Sequence, residues 1–173
     1  MAKLYASYGS NLNITQMQDR CPKAKLVTKI FLNDWKLVFR GVADIIKSPG
    51  SKVPIGIYEI SVECENALDK YEKFPILYRK ENIKITLDSN QKSVLTYVMN
   101  NYGYGPPVEE YFNIIFRGYN DWGISFESLI EALDFSLEND FGQSFKSHYW
   151  SQSNLITYKN KDKIIKSLLK KFE

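Results

Sequence analysis

The sequence predicts an α+β domain in which strands come first and helices come late. Segments rich in β-branched and aromatic residues recur between residues 3 and 99, separated by turn residues such as Asn, Asp, Ser, Pro and Gly. After residue 108, apolar side chains instead recur at helical spacing. This order is typical of a sheet with helices beside it. We therefore expect a single domain with a mixed, mostly antiparallel, barrel-like sheet and flanking helices.

The first half of the chain is predicted to supply most of the strands. Lys3–Tyr8 is an apolar and aromatic strand that breaks at Gly9. A short helix follows, because Asn11 or Asn13 can accept hydrogen bonds from its first free amides, and Cys21-Pro22 ends it. Further strands are predicted at residues 25–31, 35–39, 42–46 and 54–60, with turns at Asn33-Asp34 and Ser48-Pro49-Gly50.

The second half of the chain is predicted to contain a helix, a hairpin and then more helices. Ser61 is placed to cap the first helix, which runs to Tyr71. The remaining predicted bounds are 78–87 and 93–99 for two strands joined by Ser89-Asn90, 100–107 for a loop, and 109–117, 125–137 and 159–173 for helices. We expect one domain over residues 1–173, with residues 136–173 as a helical C-terminal extension.

Composition and charge exclude several classes of protein. The chain has 173 residues, of which 44% are hydrophobic and 25% charged, the balance of a globular protein with a real core. A net charge of +3 is too small to indicate nucleic-acid binding. No apolar run approaches the roughly twenty residues that cross a bilayer, and the N-terminus does not resemble a signal peptide. We expect a cytoplasmic protein with no nucleic-acid or membrane partner.

The two cysteines carry little functional signal. Cys21 and Cys64 lie far apart in the sequence, without the spacing of a metal site. Free cysteine is usually a small buried hydrophobe, so we expect two buried thiols in a reducing compartment rather than a disulfide.

Most familiar catalytic devices are missing from the sequence. The one histidine, His148, has no nucleophile or metal-ligand pattern around it, so a structural or surface role is expected. The glycine-rich motifs that bind nucleotide phosphates, Gly-x-x-x-x-Gly-Lys-Ser/Thr and Gly-x-Gly-x-x-Gly, are both absent from the sequence. The chemistry must therefore come from carboxylates, backbone amides, hydroxyls and tyrosines, and we expect no metal and no cofactor.

The segment from Tyr5 to Leu12 is the first candidate for a site. A strand runs here into a Gly-Ser-Asn turn and then into a helix start, an arrangement that leaves several backbone amides without partners. Gly9 lets the backbone approach a ligand closely, because it has no Cβ. Such a turn suits a carboxylate or the oxyanion of an attacked carbonyl.

The chain resembles the γ-glutamylcyclotransferase family, also called the AIG2-like or BtrG-like superfamily. The N-terminal signature is Tyr8-Gly9-Ser10-Asn11-Leu12 after an apolar strand. Other segments are similar to family motifs and follow in the same order, namely residues 33–39, 41–50, 53–60, 68–72, Tyr78, residues 97–102, Pro106-Pro107 and Tyr111. The resemblance is strongest over residues 4–135 and implies a γ-glutamylcyclotransferase-like fold.

The resemblance implies a metal-independent enzyme that releases 5-oxoproline from a small γ-glutamyl amino acid or γ-glutamyl amine. The substrate's own α-amine attacks its γ-carbonyl, so no protein nucleophile is needed. Glu72 corresponds to the family's catalytic glutamate and is the predicted general acid/base. The predicted substrate-binding residues are Tyr5, Ala6, Ser7, Tyr8, Gly9, Ser10, Asn11, Leu12, Tyr78, Tyr97 and Tyr111.

The sequence departs from the family pattern after Glu72 and beyond about residue 136, and from one branch of the family at Asn11. The family often has Gly after the catalytic glutamate, where this chain has Lys73 followed by Phe74-Pro75. The glutathione-specific branch typically has Gly-Ser-Leu, where this chain has Gly9-Ser10-Asn11, so that branch fits less well. Residues from about 136 onward match no family motif.

Alternatives remain open from the sequence alone. Glu72 read without the resemblance is an exposed acid at a helix end, and Glu63 and Glu65 are rival carboxylates. The chain could be a non-catalytic module that keeps the pocket for binding, or an enzyme acting on a larger γ-glutamylated biosynthetic intermediate. The sequence names neither the leaving group nor the oligomeric state, and a homodimer is compatible with it.

Overall fold

The computed structural model describes residues 2–173 and confirms an α+β fold built on one five-stranded mixed sheet. The strands are β1 (Lys3–Ser7), β2 (Lys25–Phe39), β3 (Ala43–Ile60), β4 (Tyr78–Leu87) and β5 (Asn90–Met99). The helices are α1 (Ile14–Arg20), α2 (Val62–Tyr71), α3 (Glu109–Asp121), α4 (Glu127–Glu138) and α5 (Lys161–Lys171). Two 3-10 turns lie at Ser10–Leu12 and His148–Trp150.

The sheet is mostly antiparallel but is not closed as a barrel. Its strand order is β2-β3-β1-β5-β4, so β2 and β4 are the two edges, and β1 and β5 pair in parallel while the other neighbouring strands are antiparallel. Helices contact both edge strands. Ser136 of α4 accepts a hydrogen bond from the Phe39 N–H of β2, and Lys80 of β4 forms ion pairs with α2. The α+β fold is therefore confirmed, but the expected barrel-like closure of the sheet is wrong.

Two predicted turns lie inside long strands. The pairing register of β2 and β3 jumps from Asn33 opposite Lys52 to Trp35 opposite Lys47, so the segment around Ser48-Pro49-Gly50 bulges out of the ladder. Asp34 and Gly50 both have positive φ, and the Gly50 N–H donates to the Asp34 carboxylate at 2.9 Å. Turn-forming residues thus make a bulge within a single ribbon, because the flanking residues continue the same strand pairing.

The core lies between the sheet and the helices that follow it. The rings of Phe116 on α3 and Phe126 stack with centroids 3.8 Å apart, and Phe172 packs on Phe116 at 5.7 Å. Ile164 and Leu168 of α5 are buried against this cluster, so the basic tail helix packs onto the core through its apolar face.

Within residues 2–173, none of the helices has the length and apolar character of a membrane span.

The C-terminal region is less helical than the sequence suggests. Residues 139–160 lie mostly outside helices and contain the short His148–Trp150 turn before α5 begins at Lys161. This stretch packs beside the loop after β5, where the Gly103 N–H donates to the Gln143 carbonyl at 3.0 Å.

The cysteine prediction is wrong, because Cys21 and Cys64 are joined by a disulfide bond. Their sulfur atoms lie 2.19 Å apart, and both residues are buried. Cys21 directly follows α1, and Cys64 lies in the first turn of α2. The pairing depends on how the sheet brings these helices together across 43 residues of sequence, which the spacing of two cysteines does not reveal.

Two side-chain caps fix the helices beside the Gly9 turn. Asn13 caps α1 by accepting from the Gln16 N–H at 3.1 Å, and Ser61 caps α2 by accepting from the Cys64 N–H at 3.2 Å. Because Asn13 is the cap, the side chain of Asn11 is free for other contacts.

Helix α3 holds the Gly9 turn from behind. A Cβ added at Gly118 would lie 2.5 Å from the Asn13 nitrogen and 2.7 Å from the Leu12 carbonyl carbon. Both neighbours are backbone atoms, so glycine is required for this close approach.

We predict that Gly118→Ala destabilises the protein by about 1–3 kcal/mol, because the added methyl overpacks the turn. Helix propensity alone predicts the opposite, a gain of about 1 kcal/mol. Urea unfolding measures the difference, with Ser167→Ala on the exposed face of α5 as the control. A Gly118→Ala protein as stable as the parent would contradict the close approach.

Candidate active site

A cavity of about 420 Å³ opens at the Gly9 turn, and its volume suits a small ligand. Of the predicted site residues, all line this cavity except Ala6 and Leu12. Ala6 lies between Tyr5 and Ser7 on β1. Because successive side chains of a strand face opposite sides of the sheet, Ala6 is buried on the side away from the cavity. Leu12 packs beneath the turn, against Gly56 and Gly118.

The Gly9 turn presents hydrogen-bond donors to the cavity. Among residues 2–173, no protein acceptor pairs with the backbone N–H of Gly9 or Ser10, which begin the 3-10 turn. A Cβ on Gly9 would lie 3.0 Å from the Ala43 Cβ, so a larger residue would push this wall apart. The buried Ser7 hydroxyl lines the same space without a hydrogen-bond partner. These groups suit an anionic or carbonyl oxygen.

Glu72 lies across the cavity from this turn, at the C-terminal end of α2. Its N–H donates to the Leu68 carbonyl at 2.8 Å, and its carboxylate accepts from the Asn11 side-chain amide at 3.2 Å. Burial raises the pKa of Glu72 to about 7, while the Arg20 charge and the Asn11 hydrogen bond act in the opposite direction. A carboxylate with this pKa can both accept and return a proton near neutral pH.

Arg20 orients the Asn11 amide. Its Nη1 donates to Asn11 Oδ1 at 2.7 Å, which leaves the Asn11 Nδ2 group to donate to Glu72 and to the Tyr5 hydroxyl. The guanidinium lies 3.5 Å from the Tyr71 ring centroid, so a cation–π contact holds it in place. The sequence prediction missed Arg20, whose contacts with Asn11 and Tyr71 exist only once α1 and α2 pack together.

The predicted tyrosines hold the cavity walls through their hydroxyls. Tyr78 donates to the Ala43 carbonyl at 2.6 Å, and Tyr111 accepts from the Ala43 N–H at 3.0 Å. Tyr97 donates to Asp69 at 2.6 Å, and Tyr8 donates to the Tyr97 carbonyl at 2.5 Å. Burial raises the pKa of each of these tyrosines, so all four stay protonated near neutral pH.

The rival carboxylates lie outside the cavity. Glu63 is exposed on α2, and Glu65 forms ion pairs with Lys3 at 2.6 Å and Lys80 at 2.8 Å. Among the described residues that line the cavity, Glu72 is the only carboxylate. His148 lines a smaller neighbouring cavity instead.

The predicted site residues do not include one whole side of the cavity, which is formed by residues after 121, or several lining residues near the predicted motifs. Phe145, Ser147, Tyr149 and Trp150 line it, together with Val42, Ala43, Leu77, Lys70, Tyr71 and Lys73 nearer the predicted motifs. The segment at 145–150 has no periodic pattern and no motif, so only its packing identifies it.

Comparison with known proteins assigns the family. The family described as gamma-glutamyl cyclotransferase, AIG2-like, matches residues 5–121, more than half of the chain. The chain belongs to this family. It is 30% identical to human gamma-glutamylcyclotransferase over 138 residues, which is 72% of this chain and 73% of the relative. It is 29% identical to the mouse gamma-glutamylcyclotransferase over 147 residues, 76% of this chain and 78% of the relative.

Solved structures share the same fold. One described as a gamma-glutamyl cyclotransferase has a TM-score of 0.66 at 23% identity, covering 96% of this chain and 99% of the other. YkqA from Bacillus subtilis also gives 0.66, at 20% identity, covering 82% of this chain and 56% of its own. The family and fold implied by the sequence motifs are therefore confirmed, and with them an enzyme of the cyclotransferase kind.

We predict that Glu72→Gln stabilises the protein in a pH-dependent way. The folded pKa of Glu72 lies above its unfolded value, so the native state binds more protons and loses stability as pH rises from about 4.5 to about 7. The substituted amide carries no charge at any pH, so urea unfolding should give similar stabilities near pH 4 and a variant more stable by up to about 3 kcal/mol near pH 8. A pH-independent difference would contradict the burial of this charge.

We also predict that Arg20→Gln raises the pKa of Glu72 above about 7, because the variant removes the cation that lowers it. Carboxyl-carbon NMR titration of the ligand-free protein measures this, with the Glu72 signal assigned by its absence in Glu72→Gln. Arg117→Gln, an exposed change on α3, is the matched control and should leave the titration unchanged.

Proposed function

We propose that this enzyme releases 5-oxoproline from a γ-glutamyl amino acid or γ-glutamyl amine, with Glu72 as general acid/base. The observation that carries the proposal is the half-buried Glu72 carboxylate, with a pKa raised to about 7, in the same cavity as the donor-rich Gly9 turn. The family and the names of the mammalian relatives support the reaction class.

The first step is removal of a proton from the substrate's α-ammonium group. A peptide α-amine has a pKa near 8, and the α-carboxylate of a γ-glutamyl compound raises the pKa of its α-amine further. A carboxylate with the ordinary pKa of about 4.5 therefore accepts this proton unfavourably. A shift of Glu72 to about 7 removes about 3 kcal/mol of that cost. The freed nitrogen lone pair then attacks the γ-carbonyl carbon and forms a five-membered ring.

Collapse of the tetrahedral intermediate completes the reaction. Glu72 returns its proton to the departing nitrogen, the bond between the γ-carbon and that nitrogen breaks, and the carbonyl reforms. Before this bond breaks, the ring nitrogen gives its extra proton to Glu72, since a still-protonated ring nitrogen would itself be the better leaving group. Glu72 then passes that proton to the departing amine. Glu72 is again ionised, and the products are neutral lactam and a protonated amine. General acid–base catalysis of this kind typically contributes about 10²–10⁴ in rate.

The Gly9 turn supplies the charge stabilisation. The N–H groups of Gly9 and Ser10 and the hydroxyl of Ser7 lack acceptors within residues 2–173, so they are available to the γ-carbonyl oxygen or the substrate α-carboxylate. One donor to an oxyanion is typically worth about 3 kcal/mol. Because these donors are fixed by β1 and α3, they need no rearrangement as charge develops.

Aromatic walls favour cyclisation over hydrolysis. Tyr8, Tyr78, Tyr97 and Tyr111 enclose the space between Glu72 and the turn and are tied to the backbone or to Asp69. Such walls hold the glutamyl chain folded back on itself, which places the α-amine near the γ-carbon. A non-catalytic binding module would fit better if Glu72 pointed into solvent, which is not its position.

We predict that Glu72→Gln lowers 5-oxoproline release by about 10²–10⁴ while leaving the fold intact. Glutamine cannot accept the α-ammonium proton, whereas its size and its contact with Asn11 are nearly preserved. The assay follows 5-oxoproline from γ-glutamyl amino acids and γ-glutamyl amines, and circular dichroism checks the fold.

Glu63→Gln is the control, because Glu63 is exposed on the same helix and should leave turnover unchanged. Full turnover by Glu72→Gln would overturn the role of Glu72. Tight binding of a γ-glutamyl compound by the parent protein, with no 5-oxoproline released, would favour the binding module.

A further inference from the structure

Residues 143–150, named here the mouth segment, lie beyond the family match at 5–121. The segment lines the outer part of the cavity with Phe145, Ser147, Tyr149 and Trp150, whereas Lys146 does not line it. The start of this segment is anchored by two backbone hydrogen bonds, since the Phe145 N–H donates to the Arg40 carbonyl at 2.9 Å and the Gln143 carbonyl accepts from the Gly103 N–H. Gly41 has positive φ, and a Cβ there would lie 1.9 Å from the Phe145 carbonyl oxygen. The backbone of Phe145 therefore packs so closely against residue 41 that only glycine fits at that position.

Three aromatic side chains of the mouth segment face the cavity. Trp150 makes an edge contact with Tyr111 at 6.1 Å between centroids, and Tyr149 makes one with Trp150 at 4.7 Å. Tyr149 is 84% exposed, although it lines the cavity. Phe145 lies beside Lys73, whose ammonium is 5.7 Å from its ring centroid. The mouth thus offers apolar surface that a bound group would cover.

The charges at the cavity are unbalanced. Arg20, Lys70 and Lys73 line it together with one carboxylate, Glu72. Arg20 is already engaged with Asn11 and Gln16. Across the described chain, Lys70 and Lys73 have no ion-pair partner, and both are exposed. These two lysines favour an anionic group near the mouth and disfavour a cationic one.

The position of Glu72 decides which part of the substrate meets this surface. Under the proposed function, the glutamyl α-amine lies beside Glu72. Binding of the γ-carbonyl oxygen by the Gly9 turn, the first of the two uses given above, directs the departing group away from both. Lys73 follows Glu72 directly, and Phe145 faces Lys73. The departing group therefore lies between the mouth segment and Lys73.

We propose that the mouth segment and Lys73 form a leaving-group subsite that selects a large apolar α-amino acid, with Phe145 and Trp150 covering its side chain and Lys73 meeting its carboxylate. This inference rests on the proposed function. It makes γ-glutamyl dipeptides with an aromatic or large aliphatic second residue the preferred substrates. Cationic γ-glutamyl amines are disfavoured.

The test compares γ-glutamylphenylalanine, γ-glutamylglycine and γ-glutamylphenethylamine, the last being the first without its carboxylate. We expect kcat/KM for γ-glutamylphenylalanine to exceed both others by roughly tenfold or more, as an apolar pocket and a charge contact allow. Trp150→Ala and the milder Trp150→Phe should reduce the phenylalanine-over-glycine ratio. Lys73→Met should reduce the ratio between the phenylalanine and phenethylamine compounds.

Matched controls come from neighbouring positions outside the cavity. Lys146→Met removes a cation from the same segment, and Tyr158→Ala removes an exposed aromatic ring further along. Both should leave the two ratios unchanged. Circular dichroism of each variant separates lost folding from lost selectivity.

Dissociation constants of the three compounds for Glu72→Gln separate this proposal from the proposed function. Release of 5-oxoproline with equal kcat/KM for all three would overturn the subsite and leave the reaction standing. No 5-oxoproline from any compound would overturn the reaction, and a preserved binding order would still support the subsite. Equal dissociation constants for the three compounds, together with equal turnover, would show that the mouth segment and Lys73 do not select the departing group.

Discussion

The contact between Asn11 and Glu72 links the two halves of the candidate site. It joins the turn after β1 to the end of α2, and the two partners are 61 positions apart in the sequence. Burial of the carboxylate raises its pKa, and the Asn11 amide holds it in a defined direction. Arg20 in turn fixes which end of that amide faces Glu72. Other features of the cavity, including the tyrosine walls, surround this arrangement.

The contact between Asn11 and Glu72 is kept in place by close backbone packing and by a disulfide bond. Gly118 lets α3 touch the backbone of the turn, and the Cys21–Cys64 bond ties the end of α1 to the start of α2. Arg20 directly precedes Cys21, so the bond lies next to the residue that orients Asn11. The elements that carry the site are therefore held by contacts outside it.

The sequence predicted much of the fold and named about half of the residues that line the candidate site. The Gly9 turn, the Ser61 cap and the strand at Tyr78 could be predicted because each depends on neighbouring residues. The bulge at Asp34 could not, since a turn and a bulge use the same residue types and only the pairing of β2 with β3 distinguishes them. The disulfide, Arg20 and the mouth segment depend on contacts between distant parts of the chain, which no local pattern encodes.

The single carboxylate among the cations has a consequence for the end of the catalytic cycle. A γ-glutamyl substrate brings an ammonium group that can pair with Glu72, which lies in a partly desolvated place. The lactam product has a neutral nitrogen and offers no such pairing. In the proposed reaction the positive charge moves to the departing amine. In the proposed reaction the lactam therefore lacks the ion pair with Glu72 that would hold the substrate, which favours release of the lactam from the cavity.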